Sequence, residues 1–438
     1  MNDHYSWAWV EAQVAESVEA WKLCADHSLP ALPRYIQKEQ RRHEKAYDQG
    51  LRAVEREARS ASCNPAQRLQ AQQRMIGIFS LFAASALGLE DEAVELLTGT
   101  FWPVGTQLAR RARNFDATLS IADTIQACRN AWIACGLQAL LGLPVELTPS
   151  ILAYSLLYPY SDNYLDQPEL SSAEKLLFSE RFRQRLRGQR LPARNSREAA
   201  VWTMVQWIEE QYARPLYPQV YDCLLAIHQA QEQSIAQLNN TGRFDHSGLL
   251  LISCAKGGTS VLADACLAHP WLTPEESKFS FEWGVLLQLG DDLQDVREDL
   301  ARGSSTLFTR AAAEGTPLDD LVLQLLHFSQ FVANRMDHLP NGTPSLKNLL
   351  RMSWRLLILM AVADAQPFFS RAFLAELEPC CAFRFDFLRA RNKKLAGRQT
   401  LYSVLFDACL DTSEDEPPLT PTQSVSETDL CALSGSLA

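Results

Sequence analysis

The sequence predicts an all-α protein. Apolar residues recur at helical spacing in nearly every segment, whereas sustained apolar–polar alternation between turn residues is hard to find. Hydroxyl residues followed by proline stand where helices should begin. A composition of 47% hydrophobic and 21% charged residues supplies enough apolar material for a sizeable core.

In chain order, residues 1–65 read as flanking amphipathic helices, of which QKEQRRHEKAYDQGLRAVEREARS carries a heavily charged outer face. Residues 66–410 read as one large helical domain, since neither a solenoid repeat nor a Pro/Gly/Ser-rich linker divides them. Within it, Thr148-Pro149 is an N-cap followed by an N1 proline, and Gln167-Pro168 closes the same helix. A later helix starts at Thr273-Pro274-Glu275-Glu276, runs through Phe281 and Leu286, and is expected to continue to Gly303-Ser304-Ser305. The apolar run Leu356 to Ala363, closed by Asp364 and Pro367, falls short of the ~20 residues a membrane span needs and reads as a core helix. Residues 411–438, rich in acidic, hydroxyl and proline residues, are expected to form a disordered tail.

The net charge of −11, from 41 basic and 52 acidic residues, offers no general attraction to nucleic acid, so none is expected as a partner. Eleven cysteines without a Cys-x-x-Cys pair suit reduced thiols in a cytoplasmic protein. The N-terminus, with neither a basic nor an apolar region, does not read as a signal peptide, and no transmembrane segment is expected.

Two acidic groups carry the chemistry. In LLQLGDDLQDVREDLARG, the carboxylates Asp291, Asp292, Asp295, Glu298 and Asp299 fall within nine residues, offset only by Arg297. Helical spacing puts Asp291, Asp295 and Asp299 on one stripe with Asp292 beside Asp295, so like charges meet at i,i+3 and i,i+4. A solvated acidic face is the ordinary explanation of such a run. Phe279, Phe281, Trp283, Val285, Leu286, Leu287 and Leu289 argue against it, because they surround the approach with apolar residues and imply burial. Buried carboxylates need partners, and a hard divalent cation is one. Upstream, Asp162 and Asp166 share a face at a helix C-terminus, the wrong end of the macrodipole for anions, with no lysine or arginine between Ile151 and Glu174.

Asp291-Asp292-Leu293-Gln294-Asp295, preceded by Leu287-Gln288-Leu289-Gly290, resembles the second aspartate-rich motif of trans-prenyltransferases. Asp162-Asn163-Tyr164-Leu165-Asp166 looks like a variant of the first, with Asn163 where a second aspartate is usual, and Lys256-Gly257-Gly258-Thr259-Ser260 looks like the lysine segment that contacts diphosphate. Over roughly residues 120–310 the chain resembles the class I isoprenoid synthase superfamily, near bacterial terpene synthases. The resemblance implies a single helical bundle with a central cavity, Mg²⁺ as cofactor in three ions bound with diphosphate, and a prenyl diphosphate substrate. It implies Asp162, Asp166, Asp291, Asp292, Asp295 and Asp299 as metal ligands, the first five being catalytic, with Lys256, Asn163 and Gln288 contacting substrate. It leaves a homodimer open.

The implied reaction is Mg-dependent ionisation of an allylic polyprenyl diphosphate by a terpene synthase or cyclase. A prenyltransferase, disfavoured by the lack of a Gly-Gly-Lys-x-x-Arg-Pro-like segment near Arg110, Arg111 and Arg113, and a non-catalytic helical binding protein remain the alternatives. Tyr154, Tyr158, Tyr160, Phe281 and Trp283 are candidates to line the cavity. Arg181, Arg183, Arg185 and Arg187 could reach phosphate but read better as a surface helix, and His228 reads as a satisfied structural histidine in preference to a general base. The run RFDFLRARNKK reads as a solvated helix face in preference to a lid.

Overall fold

The structure is a computed structural model and describes residues 5–60, 65–165, 170–235 and 244–396. These residues form helices and no strand, as the periodicity predicts. The N-terminal segment supplies α1 (Trp7–Leu23) and α2 (Gln37–Ser60). The charged stretch expected to be amphipathic coincides with α2. Next come α3 (Pro65–Ala86), α4 (Asp91–Glu95), α5 (Trp102–Phe115), α6 (Ile121–Leu140) and α7 (Pro149–Leu165). The middle of the chain forms α8 (Ser172–Leu186), α9 (Ser196–Gln211), α10 (Pro218–Ser234), α11 (His246–Ala268) and α12 (Pro274–Gln294). After them follow α13 (Val296–Arg302), α14 (Leu307–Ala313), α15 (Asp319–His338), α16 (Pro344–Asp364), α17 (Arg371–Leu377) and α18 (Phe385–Ala396).

Helix starts sit where the sequence punctuates them. Thr273 accepts from the Glu276 amide while the Glu276 side chain accepts from the Thr273 amide, and Pro274 fills the first turn of α12. Thr148 accepts from the Ile151 amide at 3.3 Å and Pro149 opens α7. The closing pair Gln167-Pro168 lies outside the described residues, as does the tail from 411.

The centre of the bundle is α11, packed against α12, α10, α1, α6 and α7. It is long and apolar enough to cross a membrane by length and composition, and 78% of that stretch is buried inside the protein. A helix apolar on all sides is what a surrounded core position demands. The N-terminal α1 belongs to the same core: Val10, Val14, Val18 and Trp21 are buried, and Trp9 meets the edge of Phe281 with centroids 5.9 Å apart. The Leu356–Ala363 run lies in α16, where Ile358, Leu359 and Val362 are buried. All eight described cysteines are free.

The pair Gly257-Gly258 has a packing reason. A Cβ on Gly257 would come within 2.4 Å of the Gly284 carbonyl oxygen, and one on Gly284 within 2.0 Å of the Gly257 oxygen. The backbones of α11 and α12 therefore touch through three glycines, with the Phe281 ring over Gly258. Helix α11 runs unbroken through the glycines, so they mark close approach and not a kink.

Candidate active site

Close contact of α11 with α12 sets the second acidic motif beside the lysine segment. Helix α12 ends at Gln294, more than two turns before the expected stop at Gly303-Ser304-Ser305: Asp295, with φ −91° and ψ 4°, caps α12 and leads directly into α13. The backbone bonds Asp295 N to Asp291 O and Asp299 N to Asp295 O, each 2.9 Å, carry the helical path across the junction. Asp291, Asp295 and Asp299 thus stay in succession despite the bend.

Asp292 is the buried member. Its Oδ2 accepts from Ser253 Oγ at 2.7 Å and its Oδ1 from Gln288 Nε2 at 2.8 Å. Gln288, expected to touch substrate, orients this carboxylate. An ionised carboxylate offers about four lone-pair directions, so both bonds leave acceptor capacity. Asp291 is half-exposed, with Arg129 Nη2 of α6 at 3.4 Å from its Oδ1. Asp295 is exposed and Asp299 half-buried.

Protons are held unusually tightly here. Burial pushes Asp291 up to about 6 despite Arg129, with Asp295 and Asp292 adding to the rise. Burial, followed by the charges of Asp292 and Asp295, pushes Asp299 to about 6. Asp292 and Asp295 are raised by burial as well, in spite of hydrogen bonds from Ser253 and Gln294 respectively. The charge of Lys256 acts in the opposite direction on Asp291, Asp292 and Asp299, so the lysine lies within electrostatic reach of the cluster.

Asp162 and Asn163 occupy the last turn of α7, their side chains outside the described residues, and Asp166 lies outside them altogether. Their neighbour Ser161 lines a cavity with Asn130, which follows Arg129, and with Ser260, one helical turn beyond Lys256. Tyr154 also lines it and donates to Ser260 O at 3.2 Å. The other aromatic candidates go elsewhere or lie outside the described side chains. Tyr160 donates to Asp116, Phe281 packs on Gly258, and Trp283 stands against Gly136 and Trp354, while Tyr158 is outside. The cavity measures about 40 Å³.

Other charged runs are structural. Arg181, Arg183 and Arg185 bind Glu198, Glu232 and Glu209, tying α8 to α9 and α10. Arg384 and Arg391 bind Glu44 and Asp48, so the C-terminal run is fastened to α2. Arg129 is the residue that sequence reasoning missed.

Chemically, the α12–α13 junction gathers the carboxylates of Asp291, Asp292, Asp295, Glu298 and Asp299; Arg129 and Lys256 reach it from neighbouring helices, and Arg302 of α13 pairs with Glu298. Among the described residues no three His, Cys, Asp or Glu side chains are placed to hold a metal ion together. The donor set still fits a hard divalent ion, because Mg²⁺ is ordinarily held by one or two carboxylates with water and substrate phosphate completing its shell. Compared with known proteins, the chain matches no family model, and no curated protein is significantly similar to it in sequence.

Proposed function

We propose that the protein is a class I isoprenoid synthase that ionises an allylic prenyl diphosphate with Mg²⁺ and releases diphosphate, acting as a terpene synthase. The observation that carries this reading is the pairing of an under-compensated carboxylate cluster, Asp291, Asp292, Asp295 and Asp299, with two cations from neighbouring helices, Arg129 and Lys256. Carboxylates alone suit a metal and cations alone suit a phosphate; a metal–diphosphate pair calls for both.

In this reading Asp291, Asp292, Asp295 and Asp299 hold Mg²⁺, joined by Asp162 and Asp166 of the first motif. Bound there, the metal supplies positive charge where the leaving diphosphate develops negative charge. Ser253 and Gln288 fix the carboxylate of Asp292, so its orientation is set before substrate arrives. Lys256 and Arg129 contact diphosphate oxygens, the guanidinium offering two parallel donors. At about 40 Å³ the cavity is far below the ~300 Å³ at which small-molecule pockets begin, so binding a prenyl chain has to widen the bundle between α7 and α10.

Incubating the purified chain with Mg²⁺ and prenyl diphosphates of ten, fifteen and twenty carbons, then identifying organic products and diphosphate, tests the reading. Cyclic or eliminated products support it. Longer prenyl diphosphates formed on adding isopentenyl diphosphate would make the protein a prenyltransferase, and no turnover with any substrate would leave a helical binding protein.

A further inference from the structure

The cavity that Ser161, Asn130 and Ser260 share has a mixed lining. Asn130, Tyr154, Ser161, His228, Gln231 and Ser260 line it beside four aliphatic residues and Phe182. Its volume of about 40 Å³ exceeds the roughly 10–15 Å³ that one water requires, and polar groups on several sides give water the partners it needs. Asn130 is fixed from behind: its Nδ2 donates to Ser155 Oγ at 3.2 Å and to Oδ1 of the buried Asp264 at 3.0 Å.

His228, 2% exposed on α10, is the one ring base facing this space. Its Nε2 lies 3.0 Å from the backbone oxygen of Ser179, which can only accept, so Nε2 carries the proton and Nδ1 the lone pair. No hydrogen bond to Nδ1 is present among the described residues. Burial, against the opposing pull of Glu232, holds the ring below the usual histidine range and therefore neutral near pH 7.

We propose that this cavity holds the water that ends the reaction and that His228 Nδ1 takes its proton, so that the enzyme releases a prenyl-derived alcohol. The inference rests on the ionisation reading above. The carbon–oxygen bond to diphosphate breaks with its electron pair leaving on diphosphate. A lone pair of the water oxygen then bonds to the carbocation, and the surplus proton passes to Nδ1 and on to solvent. Prenyl diphosphate and water thus give alcohol and diphosphate, with no change of oxidation state.

The test uses the full chain with Mg²⁺ and farnesyl or geranylgeranyl diphosphate in H₂¹⁸O, with an enzyme-free control subtracted. Wild type should give ¹⁸O-labelled alcohol. His228→Gln, which keeps an amide donor for Ser179 but no base, should lower the alcohol-to-hydrocarbon ratio at least tenfold while diphosphate release continues. A histidine that only fills the core would leave that ratio alone. Hydrocarbon as the sole wild-type product overturns this inference and leaves the ionisation reading standing; no diphosphate release from either substrate overturns both. An unchanged ratio in His228→Gln removes His228 from the step. If that variant does not melt cooperatively, Asn130→Leu, expected to lower the ratio in the same way, decides.

Discussion

Arg129 and Asp291, on α6 and α12, meet with Nη2 3.4 Å from Oδ1, across 162 residues of sequence. The two side chains keep 55% and 44% of their surface exposed, so the pair contributes at most about 1 kcal/mol to stability. What the contact does is place a guanidinium at the edge of a cluster whose carboxylates repel one another.

Arg129→Gln should therefore change thermal stability little and weaken binding of diphosphate with Mg²⁺ about tenfold, the loss of one charge-assisted contact of roughly 1.4 kcal/mol. Calorimetric titration with inorganic diphosphate measures it. Unchanged affinity would make the arginine a partner of Asp291 only.

Glu282 gives a pH prediction away from the site. It is 2% exposed, and burial pushes it up to about 7 even though Arg335 Nε lies 2.5 Å from its Oε2. A carboxyl group raised in the folded state stabilises fully below its unfolded pKa of about 4.3 and loses that contribution as pH rises through the folded value. Wild type should thus lose stability relative to Glu282→Gln between about pH 4 and pH 7. Comparing the two isolates this group from carboxylates such as Glu209, held low by Arg185 and Arg214 despite burial, which act in the opposite direction in more acidic solution. Melting temperatures across pH 4 to 8 without metal provide the check; a constant difference would show that Glu282 stays ionised throughout.

Gly284→Ala should destabilise the protein by about 1–3 kcal/mol or more, although alanine favours helix by roughly 1 kcal/mol. The new Cβ meets backbone, the Gly257 oxygen at 2.0 Å, which cannot rotate aside. Gly77→Ala, with nothing within 4 Å of the added atom, is the control and should be neutral or stabilising. Equal melting temperatures for the two variants would mean that α11 and α12 are not in backbone contact.

Many helix starts were legible because they carry their own local chemistry, as Thr273, Pro274 and Glu276 do for α12. Its end was not. Neither glycine nor proline stands at Asp295, and the bend there keeps the i to i−4 bonds, so no residue type announces it. In the sequence, Gly257-Gly258 stand inside an apolar helix where glycine is costly, but a kink and a close approach leave the same trace there; the partner, Gly284, lies on another helix. Arg129 left no trace at all. A lone arginine on an amphipathic helix is ordinary, and only the packing of α6 near α12 gives it meaning. The carboxylates of α12 could be found because their like charges violate a local rule within one helix.

Asp295→Asn should cost far more activity than stability. Partial loss of surrounding water and the charge of Glu298 raise the Asp295 carboxyl, so removing its charge relieves repulsion in the metal-free protein. Its melting temperature in EDTA should hold or rise while turnover of the prenyl diphosphate falls at least a hundredfold, about 2.7 kcal/mol of transition-state stabilisation. Full turnover in the variant would remove Asp295 from the ligand set.

Lys256 supplies the last prediction. It sits on α11 immediately before the glycines that press this helix against α12, and that close approach brings its charge within reach of Asp291, Asp292 and Asp299 on a different helix. Two roles are compatible with this position: balancing the acids when no ligand is bound, or binding diphosphate. They separate on substitution. Alanine matches or exceeds lysine as a helix former, so Lys256→Ala should leave α11 intact. If the lysine only balances charge, its loss weakens the metal-free protein, raises the proton affinity of the three aspartates and favours Mg²⁺ by removing a competing cation. If it contacts diphosphate, a charge-assisted bond of about 1.5–3 kcal/mol disappears and affinity for diphosphate at saturating Mg²⁺ falls roughly ten- to a hundredfold. We expect the second result. Titration of wild type and variant with diphosphate at saturating Mg²⁺ distinguishes them, because at that metal concentration the aspartates are already neutralised and the balancing role contributes nothing to the difference; equal affinities would assign Lys256 to charge balance alone.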